Sequence, residues 1–286
     1  MRRYALPGIF LATWGSGFIA CKAGLYHADP LTFLFLRFAV SAALLWALAV
    51  AYRATWPRTA AQYGHLFVAG ILIQAIYLGP NFTAASNGFP VGVTALIGAL
   101  QPILTAIVAS RFFGENISRR QWVGLAIGLG GIVMVLSDKL AFDWGQPFEL
   151  MLVGCGILSL TLGTLYQKYF CGWMDLRTGA VVQAVAASLI VGVGALVFET
   201  GRVDWTPTFM LALGWLIVLS IVTYTLMHIL FMRGDASRVA SMFYLVPPFT
   251  STVLYFFFDE NLGWLAVAGI AVTVFGVALA ARQQKA

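Results

Sequence analysis

An all-α integral membrane fold, with ten transmembrane helices arranged as two inverted five-helix repeats, is predicted by three observations. The first is composition: the 286 residues are 60% hydrophobic and only 10% charged, with a mean hydropathy of +0.87, whereas soluble domains carry about 25% charged residues. The second is an ungapped internal repeat that links residues 93–136 with 238–281 at an offset of 145. The third is a lopsided distribution of Lys and Arg among the connections.

Apolar runs of about 20 residues, enough to cross roughly 30 Å of hydrocarbon as helix, lie near 4–24, 31–52, 65–83, 91–110, 120–138, 148–169, 177–198, 208–230, 237–258 and 263–281. The first follows Met1-Arg2-Arg3 and reads as an uncleaved helix, because no Ala-x-Ala-type site ends it. The connections are short, leaving no room for a soluble catalytic or nucleic-acid-binding domain. With ten spans, one side holds the termini and the loops near Arg53/Arg58, Arg111–Arg120, Lys168–Arg177 and Arg233–Arg238, hence 13 of the 17 basic residues and 3 of the 11 acids. Positive residues stay cytoplasmic, so both termini are expected inside, in a bacterial inner membrane. Trp56, Trp122, Trp144, Trp173, Trp205 and Trp264 fall at span ends, as an interfacial belt requires; Trp14 sits mid-span.

Within the repeat, Phe112-Phe113-Gly114-Glu115-Asn116 falls on Phe257-Phe258-Asp259-Glu260-Asn261, Pro102 on Pro247, Gly124 on Gly269 and Gly131 on Gly276. Twelve of the 37 positions from Ala95 to Gly131 are identical, against roughly three or four by chance. At offset 146 Lys22 meets Lys168, Gly17 meets Gly163 and Arg37 meets Gln183. The halves are therefore 1–140 and 147–286, five spans each. An odd number of spans makes the second copy enter the bilayer inverted, related to the first by a pseudo-twofold axis in the membrane plane.

Polar residues inside spans are costly and face a cavity or another helix. The third span offers Gln74, Tyr77 and Asn81, at i, i+3 and i+7 on one face. The eighth offers Ser220, Thr223, Tyr224, Met227 and His228, and at offset 146 Gln74 maps onto Ser220 and Tyr77 onto Thr223. These paired stripes are expected to line a pore; the alternative is interhelical hydrogen bonding worth about 0.6 kcal/mol per contact. Gln101 joins from the fourth span, and Ser237, Ser241 and Tyr244 from the ninth. Pro102 and Pro247 each remove a helical hydrogen bond and free the carbonyl four residues earlier, at Gly98 and Phe243; they serve either as hinges or as fixed kinks. Arg37 lies about seven residues from the outer end of its span, roughly 10 Å deep. A structural role, snorkelling outward or bonding backbone carbonyls, is preferred over attraction of a substrate carboxylate. Lys22 and Lys168 gate or snorkel, with snorkelling preferred. The spacings Gly124-x3-Gly128 and Gly192-x-Gly194 read as helix packing.

Several chemistries have no support. No GxxxxGK[ST] loop occurs, and no HExxH, GxSxG or paired intramembrane carboxylates, so no catalytic residue and no cofactor is expected. Cys21, Cys155 and Cys171 lack metal-site spacing, as do the three scattered histidines, so no metal site is expected. All eleven acids lie at span ends or in loops. A buried carboxylate relay is therefore not expected, and His228 is the one mid-membrane titratable candidate.

Trp14-Gly15-Ser16-Gly17-Phe18 with Lys22, then Asp29-Pro30 and Arg37-Phe38, followed by the mid-span prolines and the Gly/Asp-Glu segments after the fourth and ninth spans, resembles the EamA-type members of the drug/metabolite transporter superfamily. Among them it is most similar to the aromatic-amino-acid exporters. The resemblance covers the whole chain in two copies. It implies a basket-like ten-helix carrier whose central cavity is lined by helices 1, 3, 4, 6, 8 and 9. The second half departs from the pattern, with Thr161-Leu162-Gly163 where the first has Gly15-Ser16-Gly17, and Gln183 where it has Arg37. The expected function is export of small metabolites, foremost aromatic and other neutral amino acids. The alternatives are export of drugs or other metabolites and, from a different class, a lipid scramblase or a non-transporting membrane subunit. The partners are the small-molecule substrate and the lipid bilayer, with no nucleic acid and the oligomeric state left open.

A cavity lined by Trp14, Tyr77, Tyr224 and Tyr244 suits a flat amphipathic substrate, since rings stack and hydroxyls hydrogen-bond. Trp14→Ala and Tyr77→Ala carriers are then expected to move phenylalanine more slowly than wild type in proteoliposomes, and wild-type rates would remove both residues from the site.

Overall fold

The computed structural model describes residues 2–89, 91–137, 147–233, 236–249, 252 and 263–281; the side chains of Trp14 and Ser237, Trp144 and the segment Phe257–Asn261 fall outside the described part. The elements of that part are helices joined by short connections: α1 (Arg2–Leu25), α2 (Pro30–Ala51), α3 (Ala60–Gly70), α4 (Ile76–Ser86), α5 (Val91–Gly98), α6 (Gln101–Phe112), α7 (Arg119–Leu136), α8 (Pro147–Phe170), α9 (Leu176–Phe198), α10 (Pro207–Arg233), α11 (Ala236–Ser241) and α12 (Trp264–Ala281). A π-helical turn, Ile71–Ala75, joins α3 to α4, and a 3₁₀ turn, Met242–Leu245, follows α11. Among the described residues the sole β pairing is an isolated bridge, Ala28 with Val203. Among the described residues seven helical segments are long and apolar enough to cross a membrane, and Val239–Phe249 and Trp264–Ala280 are apolar but shorter. The protein is an integral membrane protein.

The starts of these helices are written locally. Thr59 with Gln62, and Ser118 with Gln121, form reciprocal capping boxes at α3 and α7, each satisfying two orphan donors. Pro30 opens α2, where its missing N–H costs nothing. Asp29 does not cap that helix; Glu199 does, accepting from Leu31 N and Thr32 N at 2.7 Å each. Asp29 instead accepts from Thr200 Oγ1 and Arg202 N, both at 3.0 Å. These bonds and the bridge bind the α1–α2 connection to the α9–α10 connection. At the start of α9, hydrogen bonds from Arg177 hold the Asp175 carboxyl down to about 2.

Two units pack separately. The smaller comprises Met1–Gly15, Pro90–Gly145 and Arg233–Ala286, the larger Ser16–Phe89 and Gln146–Met232. Each draws residues from both expected repeats.

In the smaller unit α7 and α12 approach with backbone against backbone. A Cβ on Gly124 would lie 2.6 Å from Ala280 N and 2.7 Å from Gly276 O; one on Gly131 would lie 2.5 Å from Thr273 N and 2.8 Å from Gly269 O. The contacts 124–276 and 131–269 make the two helices antiparallel, and each becomes the other when the offset of 145 is applied. In the larger unit Gly17 faces Leu219 and Gly163 faces Ile73, a pair related by the offset of 146. Its core is aromatic at one end, where Phe33 meets Phe209 and Phe82 with ring centroids 5.2 and 5.9 Å apart.

Both predicted proline kinks take another form. Around Pro102 the helix breaks outright: α5 ends at Gly98, and Pro102 sits in the first turn of α6, where proline is tolerated. Before Pro247 the chain tightens into the 3₁₀ turn, and Val246 N donates to Phe243 O, the carbonyl expected to be free.

The glycine approach sets a stability test. Gly124→Val pushes a branched side chain into the α12 backbone and is expected to cost about 1–3 kcal/mol, read as a lower thermal midpoint in detergent. Gly130→Val, where an added Cβ meets nothing within 4 Å, is expected to leave that midpoint in place.

Candidate functional site

The polar residues of the larger unit converge on one cavity. It has a volume of about 20 Å³ and is walled by Ser41 and Leu45 of α2, Gln74 of the π turn, Gln167 of α8, Met174, the start of α9 through Gln183 and Ala184, and Ser220, Tyr224, Thr225 and His228 of α10. Space of that size holds a water or two. Ser41, Gln74, Gln167, Gln183, Ser220 and His228 are all buried.

Hydrogen bonds fix the walls. Gln167 Nε2 and His228 Nδ1 are bonded to one another. Gln183 Nε2 donates to Gln167 Oε1 at 3.4 Å and reaches Met174 Sδ at 3.9 Å. Arg37 Nε donates to Ser220 Oγ at 2.7 Å, and Ser220 in turn donates to Leu216 O at 2.9 Å. Gln167 and His228 also wall a smaller cavity of about 10 Å³ that includes Lys168. The Gln167–His228 pair therefore separates the two.

Gln74 owes its position to the π turn. A turn with i→i+5 bonding, here Ile76 N to Ile71 O, spreads the helix and leaves a carbonyl without its usual donor. Leu72 O takes a hydrogen bond from Ser159 Oγ of α8 at 2.8 Å. The extra residue rotates the rest of the helix by about 100°, so the expected single face of Gln74, Tyr77 and Asn81 is split. Gln74 lines the cavity. Asn81 instead donates to Tyr77 O at 2.6 Å and lies against Gly156 of α8. Asn81 thus packs between its own helix and α8 and is not among the cavity walls.

The remaining expected residues divide between the units. In the larger, Tyr224 and His228 line the cavity, while Tyr77 and Thr223 are buried beside it in sequence but are not among its walls. Thr223 Oγ1 has no hydrogen-bond partner among the described residues. Arg37 does not snorkel, being only 6% exposed, and bonds a side chain rather than carbonyls. Lys22 is exposed, and Lys168 Nζ lies 5.4 Å from the Tyr169 ring centroid. Gln101, Tyr244, Gly98, Pro102 and Pro247 belong to the smaller unit. There Gln101 is 1% exposed with both amide atoms unpartnered among the described residues, as is the Tyr244 hydroxyl. Gly128 makes room for the Tyr244 ring, which an added Cβ would approach to 2.5 Å. Ser41 and Gln167 are functional candidates that the sequence alone does not single out. The first stands one turn after Arg37, a spacing that could have exposed it; the repeat sets them against Ala187 and Cys21 and so gave no signal.

The family model of the EamA-like transporters matches this chain twice, over residues 6–137 and 147–282. The chain belongs to the EamA-like transporter family. The transporter YvbV of Bacillus subtilis (strain 168), itself uncharacterized, is 24% identical, the match covering 100% of this chain and 93% of YvbV. A probable amino-acid metabolite efflux pump of Escherichia coli (strain K12) is 25% identical, with 94% and 93% covered. The uncharacterized inner membrane transporter YedA of the same strain is 25% identical, with 93% and 86% covered. One solved crystal structure superposes with a TM-score of 0.81 at 17% identity, covering 96% of this chain and 95% of that one, a likeness of fold. The family and these relatives are transporters, not enzymes, and imply a small-molecule substrate in a lipid bilayer.

The divergence of Gln74 from Asn81 is testable by transport. Gln74→Leu is expected to lower transport at least about tenfold, a loss of 1.4 kcal/mol, with the protein still monodisperse. Asn81→Ala is expected to lower the thermal midpoint without changing the apparent KM.

Proposed function

We propose that the chain is a secondary transporter of the bacterial inner membrane that exports small metabolites, foremost aromatic and other neutral amino acids, by alternating access. It has ten spans, both termini cytoplasmic, and two inverted repeats, 1–140 and 147–286. The observation that carries the reading is the cavity of the larger unit, walled by buried polar side chains. Three glutamine side chains, two serines, a tyrosine and a histidine gathered inside an apolar bundle are expensive unless they meet a polar cargo. A scramblase would leave such a stripe open to lipid, whereas the glutamines, the serines and the histidine are buried and the tyrosine is half-buried.

The name of the E. coli relative, a probable amino-acid metabolite efflux pump, favours amino acids over drugs. The antiparallel glycine crossing of α7 with α12, and the matched contacts Gly17–Leu219 and Gly163–Ile73, support the inversion. A cavity that holds a water or two is closed to an amino acid. Substrate entry therefore requires the helices that wall it to part, and the π turn at Ile71–Ala75, which carries Gln74, is the irregular place among them. With every acid at a span end or in a loop, export runs down the substrate gradient or couples without a buried carboxylate.

Counterflow in liposomes tests this against a panel of amino acids, with dipeptides and cationic dyes as competitors. Exchange of phenylalanine and other neutral amino acids, unaffected by the dyes, is the expected result. Dye transport without amino-acid exchange would replace the substrate class, and a steep dependence of efflux on an imposed proton gradient would exclude the uncoupled form.

A further inference from the structure

We propose that Arg37 and Ser41 on α2 form the anchor for the carboxylate of the transported substrate, an inference that rests on the export reading and names the chemistry its site selects. Arg37 is buried, and its one hydrogen bond among the described residues runs from Nε to Ser220 Oγ. No carboxylate of a described residue forms an ion pair with it. The ionisable groups that face it are Tyr224, Cys21 and Tyr77, phenols and a thiol that carry no negative charge at neutral pH. A guanidinium in the interior of a membrane protein is costly until something answers its charge, and the spans of this chain contain no acid that does.

Ser41 stands one turn further along α2, on the same face as Arg37. It is 1% exposed, its hydroxyl has no partner among the described residues, and it lines the cavity. Ser220, which receives the Arg37 bond, lines the same cavity and already donates its own proton to Leu216 O. The hydroxyl of Ser41 is thus a donor without an acceptor among the described residues, on the side of the helix where Arg37 spends only its Nε on Ser220. A carboxylate has two oxygens that take both kinds of bond, with the charge-assisted guanidinium contact the stronger. In the closed conformation Ser220 holds the guanidinium in place behind the wall. When the helices part, the substrate carboxylate takes up the free donors, and an organic cation of the same size is repelled.

Three ring-matched probes isolate the carboxylate: L-phenylalanine, phenylacetate and phenethylamine. Wild-type protein is expected to exchange L-phenylalanine, to be competed by phenylacetate but not by phenethylamine, and to gain thermal stability from phenylacetate. Arg37→Gln is expected to raise the apparent KM for L-phenylalanine at least tenfold and to abolish the phenylacetate stabilisation; Ser41→Ala is expected to raise KM about threefold. An unchanged KM in Arg37→Gln, or phenethylamine competing as well as phenylacetate, overturns the anchor while leaving export intact. If wild type exchanges no amino acid, the export reading fails by itself, and the anchor is decided by phenylacetate stabilisation. Loss of that stabilisation in Arg37→Gln supports the anchor; equal shifts, or no response in wild type, overturn it. If Arg37→Gln does not fold, Ser41→Ala and the wild-type probe comparison give the same decision.

Discussion

In hydrocarbon no hydrophobic effect presses one helix against another, so association depends on how closely two backbones can come. This chain meets the constraint with glycine placed where helices cross. Gly124 and Gly131 let α7 lie on α12, Gly163 and Gly156 let α8 lie on the π turn and α4, and Gly70 admits the Gln183 backbone within 2.5 Å of where a Cβ would stand. Gly192 and Gly194 instead make room for the side chains of Phe35 and Leu31 of α2. The close approach does more than hold helices together. It brings short polar side chains within reach of a neighbouring backbone, as when Ser159 bonds Leu72 O.

That last contact links packing to the site. A wide turn inside a membrane helix strands a carbonyl, and in a bilayer each such group needs a partner supplied by protein. The turn at Ile71–Ala75 is tolerated because α8, held near by Gly163 and Gly156, supplies a hydroxyl. Its consequence is the orientation of Gln74, directed into a cavity shared with Gln167, Gln183 and His228. A polar interior of this kind is stable only as a connected set, and Gln183, Gln167 and His228 are joined in series.

Much of the fold was legible in the sequence, because the signals for a membrane helix are long and additive. Within the described residues each expected position carries helix, seven of them in segments long and apolar enough to span, and the glycine spacings mark real crossings. The capping of α2 by Glu199 was not legible, since its partner lies over 160 residues away and Asp29-Pro30 offered a plausible local answer. The site was half legible. Mid-span polarity picked out Gln74, Tyr224 and His228, which line the cavity, but periodicity set Asn81 on the same face, because no residue type announces a π turn and one added residue changes the face of everything after it. Arg37 was legible as a basic residue inside its span, but its partner was not: instead of snorkelling or bonding a carbonyl, it is held inside by a serine from the other half of the chain.

The two copies of the repeat show why that serine matters. At an offset of 146, Arg37 and Ser220 correspond to Gln183 and Gln74. The first pair is hydrogen-bonded, and both members of the second stand in the walls of the same cavity. One frame therefore carries a charged pair and a neutral pair in equivalent places. Duplication lets the backbone contacts, Gly17 with Leu219 and Gly163 with Ile73, stay matched while the side chains they position diverge. A frame with two arginines would place like charges around one small cavity, and a frame with two glutamines would hold no charge at all. With one of each, the cavity keeps an amide-lined side, and a single guanidinium is held behind the serine of the other. A neutral amino acid, anionic at one end and a hydrogen-bond donor beside it, is polarised in the complementary sense.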